Sequence, residues 1–508
     1  MPLASFLRLA LVLLIGWHGI RTAHANPIIL WVTNSNNFGP GSFSAALAQL
    51  QPVATPQEIR FAYPSTQTIY LNGPQSAIVG SNVRIDGSDM FSNVVIDGAG
   101  WTPITVGVSS GTTSLTIANL TLRHGQVVGK GGCVSVLNPA TTTVLDHVKM
   151  IECKVFVDAS TPARGGAVFA AGPLTVADSI FERNEVRTVG AGAETADAHG
   201  GSIASEGAHD VSIVRSVFTD NRVYLFNSLP SWCASGAGGA VMLYLPGATS
   251  TGIITDSTFI GNYTACQHPS TPTDAIGTGD GGALSLHSDG GIFRIERNFF
   301  EANIGRRGGA LGIINAGSTR LDLISNTFKG NRGMASSGGV GLVNCCYVTM
   351  VNNTFSANRS GADGFPNQYG GAFSINSGTL LLANNIIDNA GGPGQSCSYH
   401  FGQVTSSHNL YSDAACPIPN PDPTSVVTGP MSWLGAPVWL GGSVLVMPPD
   451  YGSPAIDTGD DALCALYDAR GSIRPLDGNG DGIARCDVGA LEGSRVMKLF
   501  KDGFEATP

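Results

Sequence analysis

Charge is scarce in this 508-residue chain. Only 13% of its residues are Asp, Glu, Lys or Arg, and 27 cations face 37 anions for a formal net charge of −10. So few cations exclude nucleic acid and anionic membrane surfaces as partners, since both require a basic patch. Glu, Lys and Leu are too sparse for a helical protein, yet 43% apolar residues are too many for a disordered one. The 67 glycines follow no Gly-X-Y triplet, which excludes a collagen. Beyond the N-terminus no apolar run is long enough to span a bilayer as a helix. No Cys-x-x-Cys or Cys/His spacing suggests zinc, and no Gly-x-Ser-x-Gly elbow is present.

What the chain does have is a repeat. Glycine pairs ending at Gly166, Gly201, Gly239, Gly282, Gly309, Gly339 and Gly371 are each followed, fifteen to twenty residues later, by a bulky apolar residue. These residues are Phe181, Phe218, Phe259, Phe300, Phe328, Phe355 and Ile386. Three residues further on stand Asn184, Asn221, Asn262, Asn303, Asn331, Asn358 and Asn389. Gly131-Gly132 leads to Met150 and Cys153, a degenerate first copy. Self-similarity at this period identifies a stack of turns, and it outranks length as a guide to domain count.

Each turn carries two or three short alternating segments, such as Ala167-Val-Phe169 and Leu174-Thr-Val176. That pattern predicts an all-β fold, a right-handed parallel β-helix of about a dozen rungs. The Phe is expected to stack inward at the ~4.8 Å rung spacing, and the Asn to form a ladder at a tight turn where it tolerates left-handed geometry. Ser179, Ser216, Ser257, Asn298, Asn326, Asn353 and Asn384 form a second polar row, and Asp178, Arg215, Asp256 and Arg297 alternate in sign as a column of ion pairs would.

The ends read differently. Residues 1–25 look like a secretory signal, with Arg8 before the run Leu9–Ile15 and Ala23-His-Ala25 at a cleavage point. Removing Arg8 and Arg21 brings the charge to about −12. Residues 26–58 form an N-terminal cap: Ser42 is a helix N-cap, and Phe43, Ala46, Leu47 and Leu50 share one face. The repeats occupy 59–390, a C-terminal capping module 391–492 and a tail 493–508. Ten cysteines suit an oxidising compartment. Proximity suggests Cys233 with Cys266, Cys397 with Cys416 and Cys464 with Cys486.

Val32-Thr-Asn-Ser-Asn-Asn-Phe-Gly-Pro-Gly-Ser42, Ser453-Pro-Ala-Ile-Asp457 and Asp487-Val-Gly-Ala-Leu-Glu492 resemble the ends of exported bacterial β-helix proteins with a choice-of-anchor Q domain. Phe43-Ser44 replaces the usual Leu-Arg. The Gly-Gly-Ala…Phe-x-x-Asn units are similar to repeats of polymorphic outer membrane proteins, which are adhesins. The resemblance implies fold and export, and no established chemistry.

Three sets of candidate site residues follow. Insertions between each Asn and the next glycine pair are expected to form the binding face, and they place Tyr224, Trp232, His268 and Tyr369 as contact residues. Asp477, Asn479 and Asp481, with a glycine at the sixth position, begin like a calcium loop, although the twelfth position is Val488 and Asp487 falls one short. No catalytic set stands out: Asp178 and Asp256 are explained as rungs of the charge column, and His199, His209 and His287 read as turn or surface residues. The expected function is extracellular binding or adhesion to a glycan or surface protein, by a monomer without a transmembrane span in its mature form. The alternative is a polysaccharide lyase or glycoside hydrolase using an acidic groove.

Overall fold

In the computed structural model, residues 26–63, 68–90, 93–158, 161–190, 197–227, 236–267, 280–314, 318–334, 336–343, 347–361, 370–388, 396–413, 416, 422–431 and 433–493 are described. Residues 1–25 and 494–508, with Trp232, Cys233, His268 and Tyr369, lie outside them. The chain is a parallel β-helix: every pairing between strands is parallel, and neighbouring strands come from successive turns. A 21-stranded sheet takes two segments from most turns, and a 13-stranded and an 8-stranded sheet take one each. Among the described residues no helix is long and apolar enough to cross a membrane.

A single turn shows why the repeat folds this way. Val168–Ala170 and Leu174–Ala177 run along the long sheet, Asp178 turns the corner, and Ile180–Glu182 forms the second sheet. Arg183 turns again into Glu185–Gly190 of the third sheet. Both corner residues have φ near +50°, a left-handed conformation costing roughly 1 kcal/mol in a residue with a Cβ. The left-handed residue at the second corner is therefore the one before the asparagine, not the asparagine itself as the sequence suggested. Asn184 sits beyond it, fully buried, with its side chain free to bond along the stack.

That bonding is strict. Asn221 Nδ2 donates to Phe181 O at 3.0 Å and to Asn262 Oδ1 at 3.0 Å, while its backbone N–H donates to the same oxygen at 3.1 Å. The arrangement repeats through Asn262, Asn303 and Asn331. Fully buried amides are tolerated because donors and acceptors are paired rung to rung. Inside, Phe181, Phe218, Phe259, Phe300, Phe328 and Phe355 stack at 4.8–5.0 Å between centroids, with planes within 9°. Each is fully buried, contributing about 2–3 kcal/mol by burial.

The glycine pair marks the third corner. Gly200 has φ +65°, and a Cβ on Gly201 would lie 2.0 Å from Gly239 O of the next rung. Backbones approach there too closely for any side chain.

Three details of register differ from the expectation. Phe355 pairs with Ile387, not Ile386, and the second polar row runs from Asn353 to Asn385, not Asn384, then on to Asn409. Asn389 lies outside the described residues. Gly338 is the counterpart of Gly309, with Gly339 in the slot of Ala310. Parallel pairing continues past 390 through Cys397–Ser407, Leu410–Tyr411 and Val426–Val427. In the first copy, Cys153 occupies the Asn slot and is bonded to Cys133, which follows the glycine pair. This disulfide was not anticipated; Cys397–Cys416 and Cys464–Cys486 were.

Helix Phe43–Ala48 is capped by Ser42 Oγ, which accepts from Ala45 N at 3.1 Å. Its apolar face buries Phe43, Ala46 and Leu47, with the Phe43 ring 6.2 Å from Phe61. The C-terminal segment lies along a flank. It binds the first-corner column, where Asp178–Arg215 and Asp256–Arg297 form bidentate ion pairs and later rungs place Ser325, Asn352 and Asn384. Ser325 Oγ donates to Tyr467 O, Asn352 joins Ala465 N and Asp487 O, and Asn384 Oδ1 accepts from Asp460 N at 2.7 Å. Ser407 Oγ donates to Asp460 Oδ2 at 2.7 Å. Arg474, fully buried, holds Glu492 Oε2 at 2.8 Å and Gly489 O at 2.7 Å beneath this segment.

Candidate functional site

The scaffold rule of apolar or amide interiors is broken in one crease. Immediately before the glycine pairs stand Lys130, Arg164, His199, Ala237, Asp280 and Arg307, one per rung. Backbone bridges stack them: Lys130 on Arg164, Ala163–Arg164 on Ala198–His199, then Gly236–Ala237, Asp280 and Arg307. The insertions return through this short sheet. They enclose a second apolar cluster of Val155, Val157, Ala163, Val186, Ala198, Val223 and Leu225 against the third sheet.

Opposite the crease, the long sheet presents its outer face. Thr105, Ser135, Phe169, Ala204, Met242 and Ser285 are in register there, with Glu206, Tyr244 and His287 two residues along. Side chains from the two walls meet. Arg164 pairs through Nε with Glu206 Oε1 and through Nη2 with Asp197 Oδ2. Lys130 Nζ reaches Glu206 Oε2 at 3.3 Å and lies 4.1 Å over the Phe169 ring. Asp197 Oδ1 also meets His199 Nε2. The His199 ring stacks 6.2 Å from His287, whose Nε2 is 2.9 Å from Ser285 Oγ. Asp280 is held by Arg307 at 2.5 and 2.8 Å.

Burial opposes ionisation of Asp197, yet the His199 hydrogen bond and charge, with Arg164 behind, hold its carboxyl well below the usual range. Burial pushes the Asp280 carboxyl up to about 6 against the pull of Arg307. Burial, and then the charge of His199, push His287 down to about 4. Charged groups with such divergent environments in one crease mark a functional-site candidate. His199 Nδ1 is buried without a hydrogen-bond partner, while Nε2 faces Asp197.

Toward the N-terminus the crease opens into a cavity of about 660 Å³. Its lining includes Gln75, Trp101, Thr102, Gln126, Lys130 and Ser135. Trp101 is 42% exposed, in a wall that mixes amides and hydroxyls with the apolar side chains of Val127, Val128 and Leu137. Gln75 is fixed by Ser44 Oγ at 2.5 Å and Gly73 O at 2.9 Å.

Of the contact residues expected on the insertions, Tyr224 is described. It lies on the third sheet, with the Arg187 guanidinium 5.3 Å over its ring. Val223 and Leu225 on either side face the lateral apolar cluster, so alternation turns Tyr224 away from it. His199 and His287, read as turn or surface residues, are instead packed in the crease. Their signal was present in the sequence: the position before the glycine pair is charged or polar in nearly every copy.

In the Asp477–Gly482 loop the side-chain oxygens accept backbone N–H groups. Asp477 accepts from Gly480 and Gly482, Asn479 from Asp481, and Asp481 from Ile483. Asp487 is buried beneath, where Oδ1 accepts from Asp457 N at 2.6 Å. Burial and the neighbouring Glu492 push the Asp487 carboxyl up to about 8. Among the described residues the carboxylates of Asp477, Asp481 and Asp487 do not come together. The group that does is Asp146, His147 and Asp178, in which Asp178 is already bidentate to Arg215.

No family model and no curated protein sequence matches the chain. Among solved structures, the crystal structure of pectate lyase Pel9A matches 93% of this chain and 98% of that one, at 14% identity and a TM-score of 0.33.

Proposed function

We propose that this β-helix is an exported bacterial glycan-binding protein, of the choice-of-anchor Q kind suggested by its two ends, that uses the lateral groove at Trp101 for adhesion to a polysaccharide surface. The observation that carries the reading is the half-exposed indole in the wall of a 660 Å³ cavity whose lining mixes amides and hydroxyls with apolar side chains such as Val127, Val128 and Leu137. Sugars present an apolar face and a rim of hydroxyls, and such a wall matches both. The disulfides suit an extracellular setting. A glycan array tests it: the native protein should give a positive signal that Trp101→Ala abolishes. No signal on any glycan, or a signal untouched by Trp101→Ala, rejects the reading.

A second reading, a polysaccharide-active enzyme in the same groove, is favoured by Asp197 behind His199 and the unpartnered Nδ1. Release of reducing ends or unsaturated products from a bound glycan, lost in His199→Gln with binding retained, would establish it.

A further inference from the structure

The cavity at Trp101 spans three successive rungs. Ile69–Tyr70, Val94–Asp97 and Leu120–Arg123 pair in that order on the second sheet. The segments that follow them line the cavity with Pro74 and Gln75, then Trp101 and Thr105, then Lys130 and Leu137. Two steps at the spacing of paired strands give a length of roughly 10 Å along the axis. The volume of about 660 Å³ falls within the roughly 300–1,000 Å³ of pockets that bury most of a small ligand.

The fourth rung closes one end. In register after Ser135, on the outer face of the long sheet, come Phe169, Ala204 and Met242. All three are buried, in an apolar cluster against which Leu137 packs. Over this cluster the Lys130 ammonium lies 4.1 Å above the Phe169 ring and reaches Glu206 Oε2 at 3.3 Å, and Glu206 is paired in turn with Arg164. Packed apolar side chains roofed by ion pairs leave a sugar no path further along the crease. Passage would uncover the cluster and separate the pairs. The other end is different: Pro74, Trp101 and Val128 are exposed around its mouth.

A crease closed at one end and open at the other is not threaded by a long chain; it receives an end. We infer that the cavity is a blind pocket that binds the terminal sugars of a glycan, the last sugar against Leu137 and the Lys130 stem and the rest of the chain leaving past Trp101. This rests on the glycan-binding reading and adds the part of the glycan that is recognised, its terminus rather than its interior. Trp101 stacks on a sugar at the mouth, and Leu137 and Lys130 become the stop that limits how far the chain enters.

The test is calorimetry of the full chain with linear oligosaccharides of xylose, mannose, glucose and galacturonate, each series running from the disaccharide to its parent polymer of known mean length. At least one series is expected to bind, with one protein per glycan chain whatever the length of that chain. On the longest oligosaccharides, either reducing the terminal sugar to its alditol or capping the opposite end should weaken binding roughly tenfold. The other modification should leave it unchanged. Several proteins per polymer chain, in proportion to its length, would show binding along the interior and overturn the inference while the glycan-binding reading stands. Equal binding of native, reduced and capped chains would overturn it in the same way. Failure to bind any of the four series rejects the underlying reading and this inference with it.

Discussion

Climbing the stack along the Phe181 column, every step from Phe181 to Phe355 repeats the last: a ring 4.8–5.0 Å above a ring, and beside it an amide bonded to an amide. Climbing the crease before the glycine pairs, the steps are Lys130, Arg164, His199, Ala237, Asp280 and Arg307. Both columns are carried by the same parallel backbone at the same spacing. The first is uniform because a buried amide is inexpensive only when its neighbours above and below are amides too. The second pairs its charged groups irregularly, within and between rungs, and no rung imposes its chemistry on the next. Uniformity identifies scaffold, and irregularity at a fixed register identifies the place where function can vary.

The sharpest way to break the comparison is in the uniform column. Asn303→Ala would strand the Asn262 backbone N–H, one N–H of Asn262 Nδ2 and Phe259 O in the interior, so a loss of about 3–5 kcal/mol is expected in urea unfolding. A loss below about 1 kcal/mol would mean the ladder relaxes, and its uniformity would need another cause. In the crease, Arg164→Met should cost about 2 kcal/mol, less than the ~3–5 of a fully buried pair. Asp197 and Glu206 are partly exposed, with side chains 36% and 22% accessible, and water can replace the guanidinium.

The pH response sharpens the contrast, because the uniform column has nothing to titrate. His287 is held below its unfolded value, down to about 4. Its contribution is therefore fully present above pH ~6.5 and is lost as pH falls toward 4, where the unfolded chain takes up the proton first. Asp280, raised to about 6, works in the opposite direction between about 4 and 6. His287→Asn should thus reduce the drop in urea midpoint between neutral pH and pH ~4.5; an unchanged drop would place the acid sensitivity elsewhere. The smallest effect is expected from Trp101→Ala, within ~0.5 kcal/mol in stability, since the indole is half in solvent. A large destabilisation there would make Trp101 part of the scaffold.

Much of this architecture was legible in the sequence, for a physical reason. A side chain that must match its copy one rung away is repeated, so the Phe stack, both polar rows and the ion pairs at Asp178–Arg215 and Asp256–Arg297 could be read from spacing. Legibility failed where spacing was ambiguous or identity varied. Asn384-Asn385-Ile386-Ile387 offers two registers one residue apart, and only strand pairing selects Ile387. Cys153 fills an asparagine slot and pairs with Cys133, whereas proximity along the chain points to Cys233 with Cys266, Cys397 with Cys416 and Cys464 with Cys486. The crease column is registered as firmly as the Phe column, but its residues share a position without sharing a chemistry. Asp487 seemed to belong to the Asp477 loop by sequence distance, and instead its carboxylate accepts from the backbone N–H groups of Asp457 and Gly493.

The flank bound by the C-terminal segment has a kinetic meaning. A bare solenoid frays from its ends, one turn at a time, because each turn holds only its neighbours. Here a single stretch from Asp460 to Ala490 grips side chains of four successive turns, at Ser325, Asn352 with Thr354, Asn384 and Ser407. None of those turns can open alone while the clasp is closed. The last rungs are thereby fused into one cooperative block, and their amide protons should exchange together, at one common rate set by release of the clasp.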